Sequence, residues 1–305
     1  MLNPKDMKRI MASPYRLLAP VERLLLEEND AKSSKRDKAH LHPSEICKKD
    51  WCPRSSYYRI MGLPEKPESF TLQRLNVFAE GTLIHEKWQR WLKDAGVMEQ
   101  DEVPVYDEEH MIMGHADGII NDKKGRAVLE IKSVGVGTVR FEDYGLFAPY
   151  ARNEINLDQL WASIKHPFSS HIRQAQLYMH CLNIDEGLIL YEWKATQEVK
   201  EFAIQFQSEL VEPILASCLS VKRALESNVA PDRPSWLTPD SRVCKYCPFK
   251  EECWSENGNR AQSADGDPSG GWAISPVSVS PQVRVAREAD GLDSRNAREP
   301  RRVIR

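Results

Sequence analysis

Three cysteines crowded near residue 250 set the tightest constraint on how this chain can fold. The stretch CKYCPFKEEC, residues 244–253, carries them at C-x2-C-x5-C. A tetrahedral thiolate site takes four ligands whether it holds zinc or an iron–sulfur cluster, so one ligand must come from elsewhere. Four other cysteines are present: Cys47, Cys52, Cys181 and Cys218. Cys181 and Cys218 fall within helical patterns and read as small apolar packing residues. That leaves Cys47, inside a short predicted helix, or Cys52. Cys52 stands before Pro53 at the predicted start of the next helix, where free N–H groups and the helix dipole favour a thiolate. The C-terminal trio would then be tied to a residue about two hundred positions earlier, which limits the freedom of everything between.

The 305 residues suffice for one large domain or two smaller ones. A net charge of −3 gives no bulk sign of a nucleic-acid partner, although a balanced total is compatible with a charged cleft. No apolar run approaches the roughly 20 residues a membrane span needs. The N-terminal MLNPKDMKRIMASPYRLL lacks a secretory apolar core, so the expected compartment is the cytoplasm. In a reducing compartment an odd count of seven cysteines argues against a disulfide framework and for metal binding.

Residues 1–41 read as a polar extension with one helical patch around LLAPVERLLLEE. In HPSEICKKDWCPRSSYYRIMG, Ser44 reads as a helix N-cap and Pro53 as the first residue of the following helix, which Gly62-Leu63-Pro64 ends. Leu83, Ile84, Trp88, Trp91 and Leu92 show helical spacing over 75–95. EVPVY, MIMGHADGII and AVLEIKSV are joined by short polar turns and predict an antiparallel meander. The segment 135–167 reads as a long irregular connection. A helix over 171–182, two strands (GLILYEW and VKEFAIQF) and a long helix from Ser208 follow. This order predicts an α/β fold, a mixed central β-sheet flanked by helices. The Gly-, Ser-, Pro- and Arg-rich stretch 258–305 reads as a disordered tail.

The acidic strands carry the chemistry. GHAD ends in Asp117, and LEIKS holds Glu130 and Lys132 two apart, hence on one face of a strand. Asp117 can face them from the adjoining strand. Two carboxylates with waters suit Mg²⁺ or Mn²⁺, and a nearby lysine can orient or deprotonate water or stabilise phosphate charge. Taken singly, Glu-x-Lys is equally a surface ion pair, His85 of GTLIHE an ordinary helix histidine, and Gln174 with Tyr178 of QAQLY a helix face with core packing.

Taken in order, G-x-x-x-H, G-x-x-D, E-x-K and Q-x-x-x-Y resemble the PD-(D/E)xK nuclease superfamily in its RecB-like branch. One cysteine before these motifs and C-x2-C-x5-C behind them resemble the iron–sulfur exonucleases of that branch: the CRISPR-associated exonucleases, the nuclease domain of AddB and phage relatives. The resemblance covers residues 42–257. It implies a restriction-endonuclease-like core with a four-cysteine cluster domain built from both its ends. It also implies hydrolysis of DNA at ends or in single strands, with a helicase, recombinase or CRISPR-adaptation protein as partner. His85, Asp117, Glu130 and the carbonyl of Ile131 would hold the metal, Lys132 would be the catalytic lysine, and Gln174 and Tyr178 would orient it and contact DNA. Cys52, with Cys244, Cys247 and Cys253, would hold a structural 4Fe–4S cluster in preference to zinc. Two other classes stay open: a DNA-end-binding accessory factor with partner-directed activity, and a restriction-type endonuclease. The chain has no phosphate-binding G-x-x-x-x-G-K-[ST] loop and so no motor of its own. The 135–167 segment departs from the family pattern, which leaves strand preference open.

Arg54, Arg59, Arg173, Lys245 and Lys250 are sequence candidates for phosphate contacts. Trp51, Tyr57, Tyr58 and Tyr246 are candidates either for base stacking or for packing around the cluster. The basic RNAREPRRVIR terminus is a candidate electrostatic tether.

Overall fold

A computed structural model describes residues 17–65 and 70–255. The expected tail and the basic terminus lie outside the described residues. A polar helix α1 (Leu18–Lys35) buries none of its residues. Two short helices follow, α2 (Pro43–Ile46) and α3 (Pro53–Ile60), then the long α4 (Leu72–Asp94). The meander is β1 (Met98–Asp107), β2 (Ile112–Asp122) and β3 (Gly125–Val134). After the helical crossover described below come α8 (Ser169–Leu182), β4 (Glu186–Trp193), β5 (Val199–Gln205) and α9 (Ser208–Ser227). Two short helices, α10 (Arg242–Lys245) and α11 (Lys250–Trp254), end the described chain.

The five strands form one sheet in sequence order. β1–β2, β2–β3 and β4–β5 pair antiparallel and β3–β4 parallel. The fold is thus α/β with a mixed sheet flanked by helices, as the element order predicts. On one face α4 sets Ile84 and Trp88 against Ile120, Leu129, Ile131 and Leu190. On the other, Ala175, Tyr178 and Met179 of α8 pack with Val128, Val134, Ile189 and Tyr191.

The connection at 135–167 is ordered rather than irregular. It forms α5 (Val136–Glu142), α6 (Tyr144–Ala151) and α7 (Leu157–Ser163). Asp143 caps α6 by accepting from the Leu146 amide at 3.1 Å. Asn156 and Gln159 form a reciprocal capping box at 2.9 and 2.8 Å on α7. Val139, Leu160 and Trp161 carry the segment into the core, and Trp161 stacks on Trp193 with 5.2 Å between ring centroids. Helices of seven or eight residues are too short to show a clear 3.6-residue repeat, which is why the sequence pattern hides them.

Two helix details also differ from expectation. His42 is the N-cap of α2, with Pro43 at its first turn, so Ser44 lies inside the helix. On α4, Leu83 and Trp91 are 62% and 46% exposed, because the sheet covers only the strip of Ile84 and Trp88. Trp91 instead packs edge-on against Trp88 at 5.2 Å.

The N-terminus of α8 is anchored by Tyr191, whose hydroxyl accepts from the Phe168 amide at 2.8 Å and lies 2.6 Å from His171 Nδ1. The hydroxyl proton is thereby free to go to an unprotonated His171 nitrogen. Burial, aided by the charge of Lys132, pushes the His171 pKa well below its ordinary 6.5. The unfolded chain therefore takes up the proton first, so this stability is complete above pH 6.5 and lost as pH falls through that value. In urea denaturation the wild type should lose up to about 1.4 kcal/mol per pH unit below pH 6.5 more than His171→Asn does. Parallel pH profiles would exclude His171 as the source.

Candidate active site and cysteine cavity

The site lies at a fork in the sheet. The β2–β3 ladder runs from Asp122↔Gly125 to Gly118↔Leu129 and stops there. Beyond it β2 continues against β1, with Ala116 opposite Val103, while β3 continues against β4. Asp117 stands at the parting, and its Oδ2 accepts the Ile131 amide at 2.6 Å. A carboxylate thus takes over where a backbone carbonyl would have continued the ladder. On the α4 side, His85 Nδ1 lies 3.1 Å from Asp117 Oδ1. On the α8 side, Lys132 pairs with Glu130 and donates to Gln174 Oε1 at 3.2 Å. Gln174 in turn donates to the Tyr178 hydroxyl at 3.3 Å.

The four sequence-derived motifs therefore converge. Gly114 of GHAD is required by a close approach: a Cβ there would lie 2.8 Å from the ring of Pro43. Tyr178 is 3% exposed, which suits it to orienting Gln174 and leaves no open face for the DNA contact expected of it.

Glu130 is 1% exposed, and neither carboxylate oxygen has a hydrogen-bond partner of good geometry besides the ion contact with Lys132. Burial, reinforced by the charge of Asp117 and opposed by Lys132, pushes its carboxyl up to about 7. For His85, burial works against the charged form, but the bond to Asp117 outweighs it and the net shift is upward. Burial likewise opposes the Lys132 ammonium, and the charges of Glu130 and Asp117 outweigh it.

Among the described residues, no three His, Cys, Asp or Glu side chains are already arranged to hold a metal ion. Here the charges neutralise one another instead: Asp117 against His85, Glu130 against Lys132. The donor set nevertheless fits a hard divalent cation. It offers two carboxylates, one buried without a hydrogen bond, with one imidazole beside them.

Gln89, one turn beyond His85 on α4, is a site residue the motifs do not reveal. It is 6% exposed and donates to the Asp117 carbonyl at 2.9 Å and to Glu102 at 2.7 Å. Its i+4 spacing from His85 was the available signal. Between them on α4, Lys87 and Trp88 donate to Glu192, at 2.6 Å and, from Nε1, at 2.5 Å, pinning α4 to β4.

Cys52, Cys244, Cys247 and Cys253 line one small cavity, together with Tyr58, Arg233 and Trp254. Cys47 does not line it; it is 1% exposed and packs in the core with Leu177 and Cys218. Cys52 is the N-cap of α3, ahead of Pro53. Burial pushes its thiol up to about 11, while the amides of Ser55 and Arg54 work toward the thiolate without closing a capping bond. Arg233 was not marked by the sequence; its Nε donates to Cys253 Sγ at 3.3 Å, and its guanidinium lies 4.4 Å over the Trp254 ring. No disulfide is formed by any of the seven cysteines.

Several expected phosphate contacts are structural instead. Arg54 is 1% exposed and donates to Tyr58 at 3.0 Å and to the Pro231 carbonyl at 2.7 Å. Arg59 ties down the Lys38 and His40 carbonyls at 2.7 and 3.0 Å. Tyr57 and Tyr58 are core residues, and Trp51 donates to Ser56 at 2.9 Å, whereas Tyr246 is 83% exposed. Lys245 is exposed, and Lys250 and Arg173 are half-buried.

No family model and no curated protein matches the sequence. Similar solved structures include that of SSO0001, at 18% identity over 76% of this chain and 95% of that one, with a TM-score of 0.42. The alkaline exonuclease LHK-Exo from Laribacter hongkongensis matches at 12% identity over 62% and 89%, with a TM-score of 0.41. A phage-related exonuclease from Haemophilus somnus 129PT matches at 15% over 58% and 81%, with a TM-score of 0.33. Among the described residues, no helix is long and apolar enough to cross a membrane.

Replacing Gln89 by leucine should leave the Asp117 carbonyl without its partner, while the exposed Glu102 turns to water. The expected cost is about 1–3 kcal/mol of unfolding free energy in a urea titration. A variant as stable as the wild type would remove Gln89 from the support of the fork.

Proposed function

We propose that the chain is a Mg²⁺- or Mn²⁺-dependent deoxyribonuclease, an exonuclease of the RecB-like iron–sulfur type, acting on DNA ends or single strands. The observation that carries this reading is the convergence of His85, Asp117, Glu130 and Lys132 where β2 and β3 part. His85, Asp117, Glu130 and the Ile131 carbonyl would hold the divalent ion. Once bound, the ion would polarise the scissile phosphate and acidify a water. Asp117 fixes the Ile131 backbone beside His85. Lys132, steadied by Glu130 and Gln174, presents an ammonium toward the same opening, where it can orient water or offset charge developing on phosphate. Tyr178 holds Gln174 in that register.

With Mg²⁺ or Mn²⁺, end-labelled single- and double-stranded DNA should be degraded by the wild type. Lys132→Ala and Asp117→Ala should each slow this by a factor of at least about 10². Full activity in both would sink the assigned site. Tight binding of DNA ends without turnover in either metal would instead favour an accessory factor directed by a helicase, recombinase or CRISPR-adaptation partner.

The second half of the proposal is a structural 4Fe–4S cluster on Cys52, Cys244, Cys247 and Cys253. Four sulfurs lining one largely apolar cavity support it. Between thiolates a cluster interposes irons and sulfides, whereas zinc draws the sulfurs onto one centre. Anaerobically purified protein should be brown and carry about four irons per chain, and Cys52→Ser should lose both colour and iron while Cys47→Ser keeps them. Colourless protein with one zinc would reverse the choice of metal and leave the nuclease site standing.

A further inference from the structure

A second opening lies between the two sites. Its volume is about 540 Å³, and Lys48, Asp50, Arg74, Phe141, Arg242 and Tyr246 line it. Three of these side chains are cationic and one is anionic, a local excess of positive charge on a chain of net charge −3. The two arginines lie over aromatic rings. The Arg242 guanidinium lies 4.6 Å over Phe141, and that of Arg74 lies 4.9 Å over Phe70. Lys49, outside the lining, lies 4.7 Å over the Phe141 ring and donates to the Phe141 and Glu142 carbonyls, which fixes Phe141 in place. Tyr246 projects its ring almost fully into solvent, at 83% exposure.

The position of this cleft follows from the chain. Phe141 is in α5, which begins two residues after β3 ends. Lys48 and Asp50 lie between Cys47, buried in the core, and Cys52, on the cysteine cavity. Arg242 and Tyr246 flank Cys244. The cleft is thus strung between the strand that carries Lys132 and the segments that carry the cysteines.

Guanidinium groups placed over aromatic rings keep the N–H donors along their edges for phosphate. An exposed tyrosine offers a stacking platform that a paired, stacked duplex cannot use. We infer that this cleft seats an unpaired DNA strand, its phosphates against Lys48, Arg74 and Arg242 and a base on Tyr246. The inference rests on reading the chain as a DNA hydrolase and adds the form of the substrate and its path.

The test uses the full chain carrying Lys132→Ala and fluorescence anisotropy with labelled oligothymidine, long enough to exceed the roughly 4–16 nucleotides such a groove covers. Adding Tyr246→Ala should weaken binding about tenfold, with Tyr246→Phe restoring it. Arg242→Glu and Lys48→Glu should each weaken binding and flatten its dependence on the logarithm of salt concentration by about 0.7. A blunt hairpin duplex should not sense Tyr246→Ala. Circular-dichroism melting checks that the variants fold. Strand binding unchanged in all three variants, or duplex binding weakened equally by Tyr246→Ala, would overturn the inference. Tyr246-dependent binding in a wild-type protein that cleaves nothing would keep the inference and defeat the hydrolase. Cleavage with binding indifferent to the cleft would do the reverse.

Discussion

The bond from the Ile131 amide to the Asp117 carboxylate is the contact on which the candidate site depends. A sheet whose strands part leaves amides and carbonyls unmet, and buried backbone groups without partners are costly. Here the side chain of the parting strand supplies the missing acceptor at 2.6 Å. The fork is thereby held open without leaving the Ile131 amide unmet, and the gap is where Glu130 and Lys132 emerge. The same carboxylate reaches His85 with its second oxygen, so one residue joins the strand pair to α4. Gln89 secures the carbonyl of that residue from the same helix. The chemistry and the topology of the sheet are not separable at this point.

The N-terminal segment extends this dependence to the far lobe. Leu41 bridges to Ile112 and is fully buried, and Pro43 fills the space that Gly114 leaves open. Glu45 then accepts from Ser56 at 2.9 Å and from Arg59 at 3.2 Å, fixing α2 against α3. Within about ten residues the chain thus passes from the strand carrying Asp117 to the helix whose N-cap is Cys52. Holding Cys52 next to Cys244, Cys247 and Cys253 closes the polypeptide around the sheet, and the unfolded chain loses freedom accordingly. A cluster in that cavity would therefore stabilise the fork from a distance, by fixing the segment that supports it.

Long periodic elements and short-range spacing were legible in the sequence. α9 occupies the residues its pattern predicts, and the meander pairs as its polar turns require. The strand motifs were legible for the same reason, since Glu130 and Lys132 share a face by the two-residue repeat alone. Hidden were features set by what the chain packs against. The face of α4 that meets the sheet is narrower than its apolar residues suggest, so Leu83 is left exposed. The crossover helices are shorter than the window in which a repeat can be recognised, although Asp143 and Asn156 mark their starts. Glu192 and Arg233 act through partners far along the chain, which spacing cannot reveal, whereas Gln89 was marked only by its i+4 spacing from His85.

Arginine shows most clearly why position in sequence is a poor guide to role. Arg54 and Arg59 lie beside Cys52, as a phosphate-binding residue might, yet both spend their donors on carbonyls of neighbouring segments. Five fixed N–H groups make arginine as effective a clamp on backbone as on phosphate. Both Arg54 and Arg242 lie over an aromatic ring, at 5.4 and 4.6 Å, so what separates the two uses is solvent access. Arg54 is buried against Tyr58 and closed over by Pro231, whereas Arg242 is exposed and lies on a ring at the mouth of a cleft. A guanidinium backed by an aromatic ring on one side and water on the other keeps its donors directed outward. That arrangement costs little to complete when a phosphate arrives, because the side chain is already held over the ring.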